Sequence, residues 1–426
     1  MISNAKGAPR EAGIPDPGEA FVWIWLPGSA VPVVAGLLVA HGDKLIFNYG
    51  RSYLERDDAI PIYAPELPLE AGELPLLDGL NMPGCIRDAA PDAWGRRVIL
   101  NRLFADRGPH VDTARLDELT YLLESSSDRV GALDFQPSAT EFQPRDVRNA
   151  TLEELLEAAS LVEQGMPLPA ELQTALNHGT AIGGARPKAL IQNGNSKFIA
   201  KFSSSSDLYS VVKAEYIAMR LAALAGIDVA RVQLVRTSGK DVLLIERFDR
   251  ELVENEWCRK CVISALTILR LHEMTARYAS YEDLAEIIRH RFTAPKRALR
   301  ELFSRLVFNI LCGNTDDHAR NHAAFWDGAN LTLTPAYDIC PQARTGNEAS
   351  QAMLINGNDR MSRIASCLPT AGQYLLPTQD AIEIVQRHKA VIEDHWVGLC
   401  DEAELTRVDR NVLWHRAFLN PFSIEE

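Results

Sequence analysis

Apolar residues cluster near the N-terminus in an uncharged stretch, FVWIWLPGSAVPVVAGLLVA, at residues 21–40. A stretch of this length could span a bilayer, but Pro27-Gly28 lies within it and marks a turn. The residues before it carry both signs of charge, unlike the positive start of a signal peptide. The pattern therefore predicts two short strands around a turn and no membrane segment.

The following segments change from strand-like to helical patterns. Residues 45–54 and the proline-punctuated residues 59–68 have the composition of further short strands. Residues 87–124 carry apolar side chains at helical spacing. Thr151 followed by Glu154 has the form of a capping box at the start of a helix. We predict a small β-rich module followed by helices.

A different pattern begins at residue 179. A glycine-rich loop leads into the strand-like KFIAKF, a helix over 208–225, and two more strands, RVQLV and DVLLIERF. This order predicts a small sheet with one packed helix. After residue 262 the pattern is mostly helical, apart from a polar run at 313–322 and the strand-like 331–335. The predicted parts are a flexible N-terminus (1–20), a β-rich module plus helices (21–150), a small lobe with a phosphate loop (151–250) and a helical lobe (251–426).

Composition places the chain among ordinary globular proteins, with 426 residues, 46% hydrophobic and 24% charged. The formal net charge of -13 argues against a nucleic-acid-binding surface over the whole molecule, though not against a local basic patch. Its 7 scattered cysteines do not have the pattern of a disulfide framework. We therefore expect a cytoplasmic protein, since the cytoplasm keeps thiols reduced.

The glycine loop and the strand after it are candidates for holding phosphate. Gly179, Gly183 and Gly184 would let backbone N–H groups approach phosphate oxygens. Their spacing matches neither a Walker A loop nor a dinucleotide-binding fingerprint, so an ordinary hairpin turn is the competing interpretation. Lys201 lies within an apolar strand, where its ammonium group must either reach solvent or meet an anion. Glu215 could hold that lysine as in protein kinases, or it could be a solvated helix position.

The polar run GNTDDHARNH, residues 313–322, follows a predicted helix. Asp316 and Asn321 are separated by the same step as the catalytic aspartate and metal-binding asparagine of the protein-kinase catalytic loop. Asp338 follows the strand-like 331–335, where a second metal ligand is required. Carboxylate and amide oxygens suit Mg²⁺. The order of glycine loop, lysine, glutamate, aspartate, asparagine and aspartate predicts a kinase.

These motifs together resemble the HipA-type serine/threonine kinases, the toxin components of bacterial toxin–antitoxin pairs. The resemblance covers about residues 21–426 and is strongest from residue 85 onward. The matching segments are PDAWGRR (91–97), DRVGAL (128–133), GGARPKA (183–189), FIAKF (198–202), IERFDR (245–250), NTDDHARNHA (314–323), AYDI (336–339) and, more loosely, RSYLERDDAIPIY (51–63).

The resemblance implies an α+β, protein-kinase-like fold of two lobes, with a small β-rich N-terminal module and a large all-helical C-terminal lobe. It implies ATP and Mg²⁺ as cofactors. Asp316 and Lys201 would be catalytic, Asn321 and Asp338 would bind the metal, and Glu215 would support Lys201. The residues implied in ATP binding are Gly183, Gly184, Ala185, Arg186, Pro187, Lys188, Lys201, Glu246, Arg247, Phe248, His318, Tyr337 and Asp338.

The resemblance also implies partners and a biological role. The partners would be a small helix-turn-helix antitoxin (HipB-like), operator DNA contacted mainly through that antitoxin, and a protein substrate, a class that includes aminoacyl-tRNA synthetases. Phosphorylation of serine or threonine would halt growth, and the pair would repress its own operon. The sequence departs from the family at the serine that is often autophosphorylated. Ala181 stands closest to that position, and Thr180 is either the modified residue or a plain turn residue.

Three other patterns suggest a binding site but also have an ordinary structural explanation. His318 and His322 could share a helix face and bind zinc, but the residue after the first histidine is alanine rather than the glutamate of a metalloprotease. Cys258 and Cys261 form a CxxC with no second pair. A basic run between residues 289 and 305 is either a solvated helix face or a contact surface for phosphates or an acidic partner.

Two other classes of function stay open at this point. One is a kinase-like fold that serves mainly as an antitoxin-bound co-repressor, with vestigial catalysis. The other is a small-molecule kinase of the aminoglycoside or choline type, which shares the same aspartate, asparagine and aspartate arrangement. Binding of ATP and Mg²⁺ separates the first from an active kinase. The chemical nature of the phosphorylated product separates the second.

Overall fold

The chain folds into a mixture of helices and sheets, as the predicted α+β class requires. The computed structural model describes residues 17–104, 116–145, 150–177, 179–204, 207–344 and 346–424. The predicted flexible N-terminus lies outside the described residues as far as residue 16. Within the described ranges no helix has both the length and the apolar character needed to cross a membrane.

The uncharged stretch 21–40 forms two antiparallel strands around a turn that contains Gly28, which has a φ of +77°. The predicted pair of strands is therefore confirmed. In the described ranges these strands belong to a five-stranded antiparallel sheet of order β4-β3-β2-β1-β5. Its strands are β1 (Glu19–Ile24), β2 (Val33–His41), β3 (Lys44–Tyr49), β4 (Glu73–Leu74) and β5 (Leu133–Gln136).

Two strand predictions in this module are wrong in part. The strand predicted over 45–54 ends at Tyr49, and a helical turn follows that buries Tyr53 against the ring of Tyr49 at a centroid distance of 5.6 Å. Residues 59–68 contain only an isolated bridge between Tyr63 and Leu67. Prolines in that segment lack the backbone N–H that a strand ladder needs.

Helices lie between and after the strands of this sheet. The first are α1 (Arg51–Leu54), α2 (Gly84–Arg87), α3 (Ala93–Phe104), α4 (Glu118–Glu124), α5 (Leu152–Glu163) and α6 (Ala170–Asn177). Of these, α3 and α4 confirm the helical pattern predicted for residues 87–124, of which 105–115 lie outside the described residues. The predicted capping box is confirmed at the start of α5. The Thr151 hydroxyl accepts from the Glu154 N–H at 3.2 Å, and the Thr151 N–H donates to the Glu154 carboxylate at 2.9 Å.

A second antiparallel sheet, of order β6-β7-β9-β8, contains the strands that the sequence predicts after the glycine loop. Helix α7 packs against one face, and an apolar cluster with α3, α5 and α6 covers the other. Because side chains alternate along a strand, Phe198, Ala200 and Phe202 face this cluster and Lys201 faces α7. The elements are β6 (Lys188–Asn193), β7 (Ser196–Phe202), α7 (Val211–Leu224), β8 (Val232–Thr237) and β9 (Lys240–Glu246).

The rest of the chain is mostly helical, but the prediction of an all-helical region is wrong in detail. It contains a hairpin, β10 (Arg250–Val253) with β11 (Glu256–Arg259), and a sheet of β12 (Cys261–Ser264), β13 (Ala323–Trp326) and β14 (Leu331–Leu333). Runs this short carry little periodic signal. The helices are α8 (Ala265–Ile268), α9 (Tyr281–Arg291), α10 (Pro295–Cys312), α11 (Ile364–Cys367), α12 (Thr378–Glu402) and α13 (Arg407–Leu413), with 3₁₀ helices at Glu273–Tyr278, Ala319–Asn321 and Leu368–Tyr374.

Gly313 ends α10 just before the polar run, with a φ of +75°. A Cβ at this position would lie 2.6 Å from the carbonyl oxygen of Ala417. Gly313→Ala is therefore expected to lower the free energy of unfolding by at least about 1–2 kcal/mol, because the left-handed backbone disfavours an L side chain. Urea denaturation measures this change.

Gly398→Ala is the matched control, since Gly398 lies inside α12 with no atom within 4 Å of an added Cβ. This substitution should stabilise the protein by about 0.5–1 kcal/mol, because alanine favours a helix interior over glycine. Equal effects of the two substitutions would contradict the role assigned to Gly313.

Candidate active site

Lys201 lies at the centre of the candidate site. Its ammonium group donates to the Glu215 carboxylate on α7 at 2.6 Å and to the Asp338 carboxylate. Lys201 and Glu215 are both buried. The Lys201 ammonium group therefore does not extend into solvent, and Glu215 is not a solvated helix position. Burial disfavours the charged form of Lys201, but the two carboxylates outweigh it and raise the Lys201 pKa above its usual value.

Asp338 lies in the segment after β14, and its carboxylate places this segment in contact with Lys201. Its backbone has a φ of +57°, in the left-handed region that non-glycine residues rarely adopt. Burial alone would raise the pKa of Asp338, but the charges of Lys201 and Lys188 hold it below its usual value. Asp338 is therefore an ionised carboxylate fixed beside a lysine, at a point where three elements of the fold meet.

The polar run after α10 places Asp316 and Asn321 in different environments. Asp316 is exposed and Asn321 is buried. The Asn321 amide nitrogen donates to the carbonyl oxygen of Asp316 at 3.2 Å, at the end of the 3₁₀ helix Ala319–Asn321. This orientation leaves the amide oxygen of Asn321 as a potential metal ligand and the Asp316 carboxylate open to solvent.

The glycine loop is held by side chains on both sides. The Gly184 N–H donates to the Asp92 carboxylate at 2.6 Å, and the Lys188 ammonium donates to the Gly183 carbonyl oxygen. Lys188 pairs directly with Lys201 across β6 and β7. Burial, together with the charge of Lys201, lowers the pKa of Lys188 to about 8.

The other loop residues are less uniform in their surroundings. Arg186 pairs with Asp207 at 2.7 Å, Ala185 is exposed and Pro187 is buried. Thr180 is fully buried, and its hydroxyl accepts from the Ser126 N–H at 2.8 Å. In this conformation the Thr180 hydroxyl therefore serves to fix the start of the loop.

The segment 246–248, which the resemblance implies in ATP binding, divides between two roles. The Phe248 ring packs beside the Tyr337 ring at a centroid distance of 5.6 Å, and Glu246 accepts from the Ser196 hydroxyl at 3.0 Å. Arg247 is buried, and its guanidinium binds the carboxylates of Asp128 and Asp249. The Arg247 side chain thus belongs to an internal ion network rather than to an open cleft.

The two histidines of the polar run also differ. His322 is buried and its Nε2 lies 3.1 Å from the Asp317 carboxylate, which also accepts from the Tyr281 hydroxyl. His318 is half-buried, and its Nδ1 is a buried atom that lacks a hydrogen-bond partner in the described structure. Among the described residues no cluster of three or more histidine, cysteine, aspartate or glutamate side chains could hold a metal ion.

Two contributors to the site were not assigned a role from the sequence. Asp92 contacts the glycine loop from the start of α3, and Arg320 of the polar run pairs with Asp92 at 2.5 Å and with Glu273 at 3.2 Å. The PDAWGRR motif was the one signal that pointed to Asp92. Asp317 anchors the polar run to α9, because its carboxylate accepts from the Tyr281 hydroxyl.

Part of the basic run between residues 289 and 305 pairs with carboxylates of this chain. Arg289 pairs with Glu286, Arg300 with Asp380 and Arg305 with Glu301, and the His290 ring lies 2.8 Å from the Glu286 carboxylate. Because these pairs involve only part of the run, both interpretations of it stay open.

Two family models match the chain. The model described as the HipA-like C-terminal domain matches residues 180–396, and the model described as the HipA N-terminal domain matches residues 24–136. The first match covers the glycine loop, Lys201, the polar run and Asp338.

Individual proteins of known name are also similar. The serine/threonine-protein kinase toxin HipA of Shewanella oneidensis is 25% identical over 236 residues, which are 50% of this chain and 54% of that protein. The match thus spans about half the length of that relative. Y4mE of Sinorhizobium fredii, which is named as a kinase, is 24% identical over 340 residues, 70% of this chain and 72% of its own.

A solved structure has a similar fold over nearly the full length. It is the complex of Shewanella oneidensis HipA with HipB and its operator DNA, with a TM-score of 0.65 and 19% sequence identity. The match covers 93% of this chain and 94% of that chain. At this level of identity the comparison supports the fold.

Proposed function

The chain belongs to the HipA family, and we propose that it is a serine/threonine protein kinase that uses ATP and Mg²⁺ and acts as the toxin of a toxin–antitoxin pair. The observation that carries the proposal is the buried contact of Lys201 with Glu215 and Asp338. It joins the four-stranded sheet, α7 and the segment after β14. Protein kinases use such an arrangement to hold nucleotide phosphates beside a metal ion.

We take this arrangement as part of a two-lobed, kinase-like fold. The four-stranded sheet with α7 would form the smaller lobe, and the helices from α8 onward the larger one. The glycine loop and the lysine then belong to one lobe and the polar run to the other, with nucleotide bound between them. The domain boundaries predicted from the sequence stay a prediction.

The side chains at the site fit an ATP–Mg²⁺ complex by their donor chemistry. Asn321 offers an amide oxygen and Asp338 a carboxylate oxygen, which are ligands that Mg²⁺ prefers. Bound Mg²⁺ supplies positive charge that offsets the charge of the phosphates. Lys201, kept protonated by its two carboxylates, would hold those phosphates.

Asp316 would act on the substrate. Its carboxylate is exposed beside Asn321, where a serine or threonine hydroxyl of another protein can reach it. Asp316 would orient that hydroxyl and accept its proton as the oxygen bonds to the γ-phosphorus and the bond to the bridging oxygen of ADP breaks. The products are a phosphorylated protein and ADP.

The partners follow from the same family membership. We propose that the chain binds a small helix-turn-helix antitoxin of the HipB type and reaches operator DNA mainly through that antitoxin. Its substrate would be a cytoplasmic protein, from a group that includes the aminoacyl-tRNA synthetases. The net charge of -13 agrees with an indirect contact with DNA. Phosphorylation of the substrate would halt growth.

Transfer of phosphate from γ-labelled ATP in a cell-free translation extract tests the proposal. The protein is expected to label serine or threonine of an extract protein and to reduce translation, with both effects dependent on Mg²⁺. Label on a small molecule instead of protein would favour a small-molecule kinase. Failure to bind ATP with Mg²⁺ in calorimetry would favour a co-repressor with vestigial catalysis.

A further inference from the structure

The start of α3 lies directly on the glycine loop. The Asp92 carboxylate accepts from the Gly184 N–H at 2.6 Å, and the Trp94 N–H donates to the Gly184 carbonyl oxygen at 3.2 Å. The Trp94 indole N–H donates to the Lys188 carbonyl oxygen at 2.9 Å. Gly95 approaches so closely that an added Cβ would lie 1.9 Å from the Thr180 carbonyl oxygen. A segment of the N-terminal module therefore sets the loop conformation.

The Asp92 carboxylate has the surroundings that a phosphate group would take in such a loop. One oxygen accepts from the Gly184 N–H, and the other accepts from the Arg320 guanidinium at 2.5 Å. The Gly183 backbone presents no side chain to it, and a Cβ there would lie 3.0 Å from the carboxylate. Backbone N–H groups of a glycine loop and a guanidinium are the donors that recognise phosphate.

We infer that Asp92 is an internal competitor of the nucleotide phosphates and thereby sets the affinity of the site for ATP. The inference rests on the proposed function, because it takes residues 183–188 as the phosphate loop. A phosphate oxygen that binds the Gly184 N–H must displace the Asp92 carboxylate, and both groups are anions in the same space. The free protein is therefore stabilised by an ion pair that the nucleotide complex gives up.

Displacement of Asp92 also alters the contacts of Arg320. Arg320 keeps a second carboxylate, that of Glu273 at 3.2 Å, and its carbonyl oxygen accepts from the Tyr337 hydroxyl at 2.7 Å. The polar run would thus stay anchored while one guanidinium contact becomes open to the phosphates. Asp92 is a positioning residue in this account, since it acts on the nucleotide through the loop and Arg320.

Asp92→Asn tests the inference, because the amide keeps a hydrogen-bond acceptor for the loop but removes the charge. Isothermal titration with ATP and Mg²⁺ is expected to show about tenfold tighter binding by Asp92→Asn than by the wild-type protein, since charged hydrogen-bond acceptors bind more strongly than neutral ones. Adenosine, which has no phosphate, should bind both proteins equally. A residue that only supports the fold would instead weaken binding when replaced.

Glu273→Gln is the matched control, because it also removes a carboxylate from Arg320 but does not touch the glycine loop among the contacts described. It should change the ATP affinity less than about twofold. Equal or weaker ATP binding by a folded Asp92→Asn protein, judged by a circular dichroism spectrum unchanged from that of the wild-type protein, overturns the inference while leaving the kinase proposal intact. Absence of ATP binding by both the wild-type and Asp92→Asn proteins overturns the proposed function and the inference with it.

Discussion

Asp316→Asn is expected to lower the rate of phosphotransfer by about 10²–10⁴-fold, the range that a positioned acid–base group contributes. The asparagine has the shape of aspartate but cannot accept the proton of the substrate hydroxyl. Asp316 is exposed, and the Asn321 amide donates to the backbone carbonyl oxygen of Asp316 rather than to the Asp316 side chain. The fold and the proposed metal ligands should therefore persist in this variant.

Two measurements separate this loss from a loss of binding. Calorimetry with ATP and Mg²⁺ should give the same affinity for the wild-type and Asp316→Asn proteins, while single-turnover transfer of labelled phosphate should differ by the full factor. Asp57→Asn, which replaces an exposed carboxylate in the N-terminal module, is the control and should transfer phosphate at the wild-type rate. Full transfer by Asp316→Asn would exclude the proposed role of Asp316.

The contact of Lys201 with Glu215 and the spacing of Asp316 and Asn321 could be predicted because they depend on local patterns. A lysine in an apolar strand needs an anion if it is buried, and strand alternation sends Lys201 to the face that α7 covers. Asp316 and Asn321 are five residues apart, so both lie in the same short loop, where the Asn321 amide donates to the Asp316 carbonyl oxygen. Residue type and short spacing were enough in these cases.

Contacts between distant segments could not be predicted in the same way. Asp92 and Gly184 are 92 residues apart in the chain, and no local period relates the start of α3 to a loop that comes after α4, α5 and α6. Arg247 shows the same limit. The resemblance implied a role in ATP binding, which stays a prediction, but nothing local indicated that the Arg247 side chain pairs with Asp128, 119 residues earlier.

Ion pairs of Arg247 connect the N-terminal module to the segment after β9. Arg247 binds Asp128 at 2.9 Å and Asp249 at 2.8 Å, and Asp249 in turn accepts from the Gly131 N–H at 2.8 Å. Arg250 also contacts both carboxylates. Burial would raise the pKa of Asp249, but Arg247 and Arg250 together lower it to about 2. The carboxylates are therefore held ionised inside the protein by two guanidinium groups.

Arg247→Met is expected to lower the free energy of unfolding by about 3–5 kcal/mol, because removal of one partner leaves buried carboxylates short of compensating charge. Urea denaturation at pH 7 measures the loss. Arg231→Met is the control. The Arg231 side chain is 86% exposed and lies 3.8 Å from the Glu246 carboxylate, so its replacement should change stability by less than about 0.5 kcal/mol. Equal stability of the two variants would contradict the structural role of Arg247.

The same substitution should change the response to acid, and the sign follows from the pKa of Asp249. A carboxyl with a lowered folded-state pKa stabilises the fold above its unfolded-state value of 3.8, and this contribution is lost as the pH falls towards about 2. In Arg247→Met the pKa of Asp249 should rise, because one of the charges that lowers it is gone. Protonation would then begin at a higher pH, so the midpoint of acid unfolding should move upward relative to the wild-type and Arg231→Met proteins. An unchanged midpoint would contradict the role assigned to Arg247 in keeping Asp249 ionised.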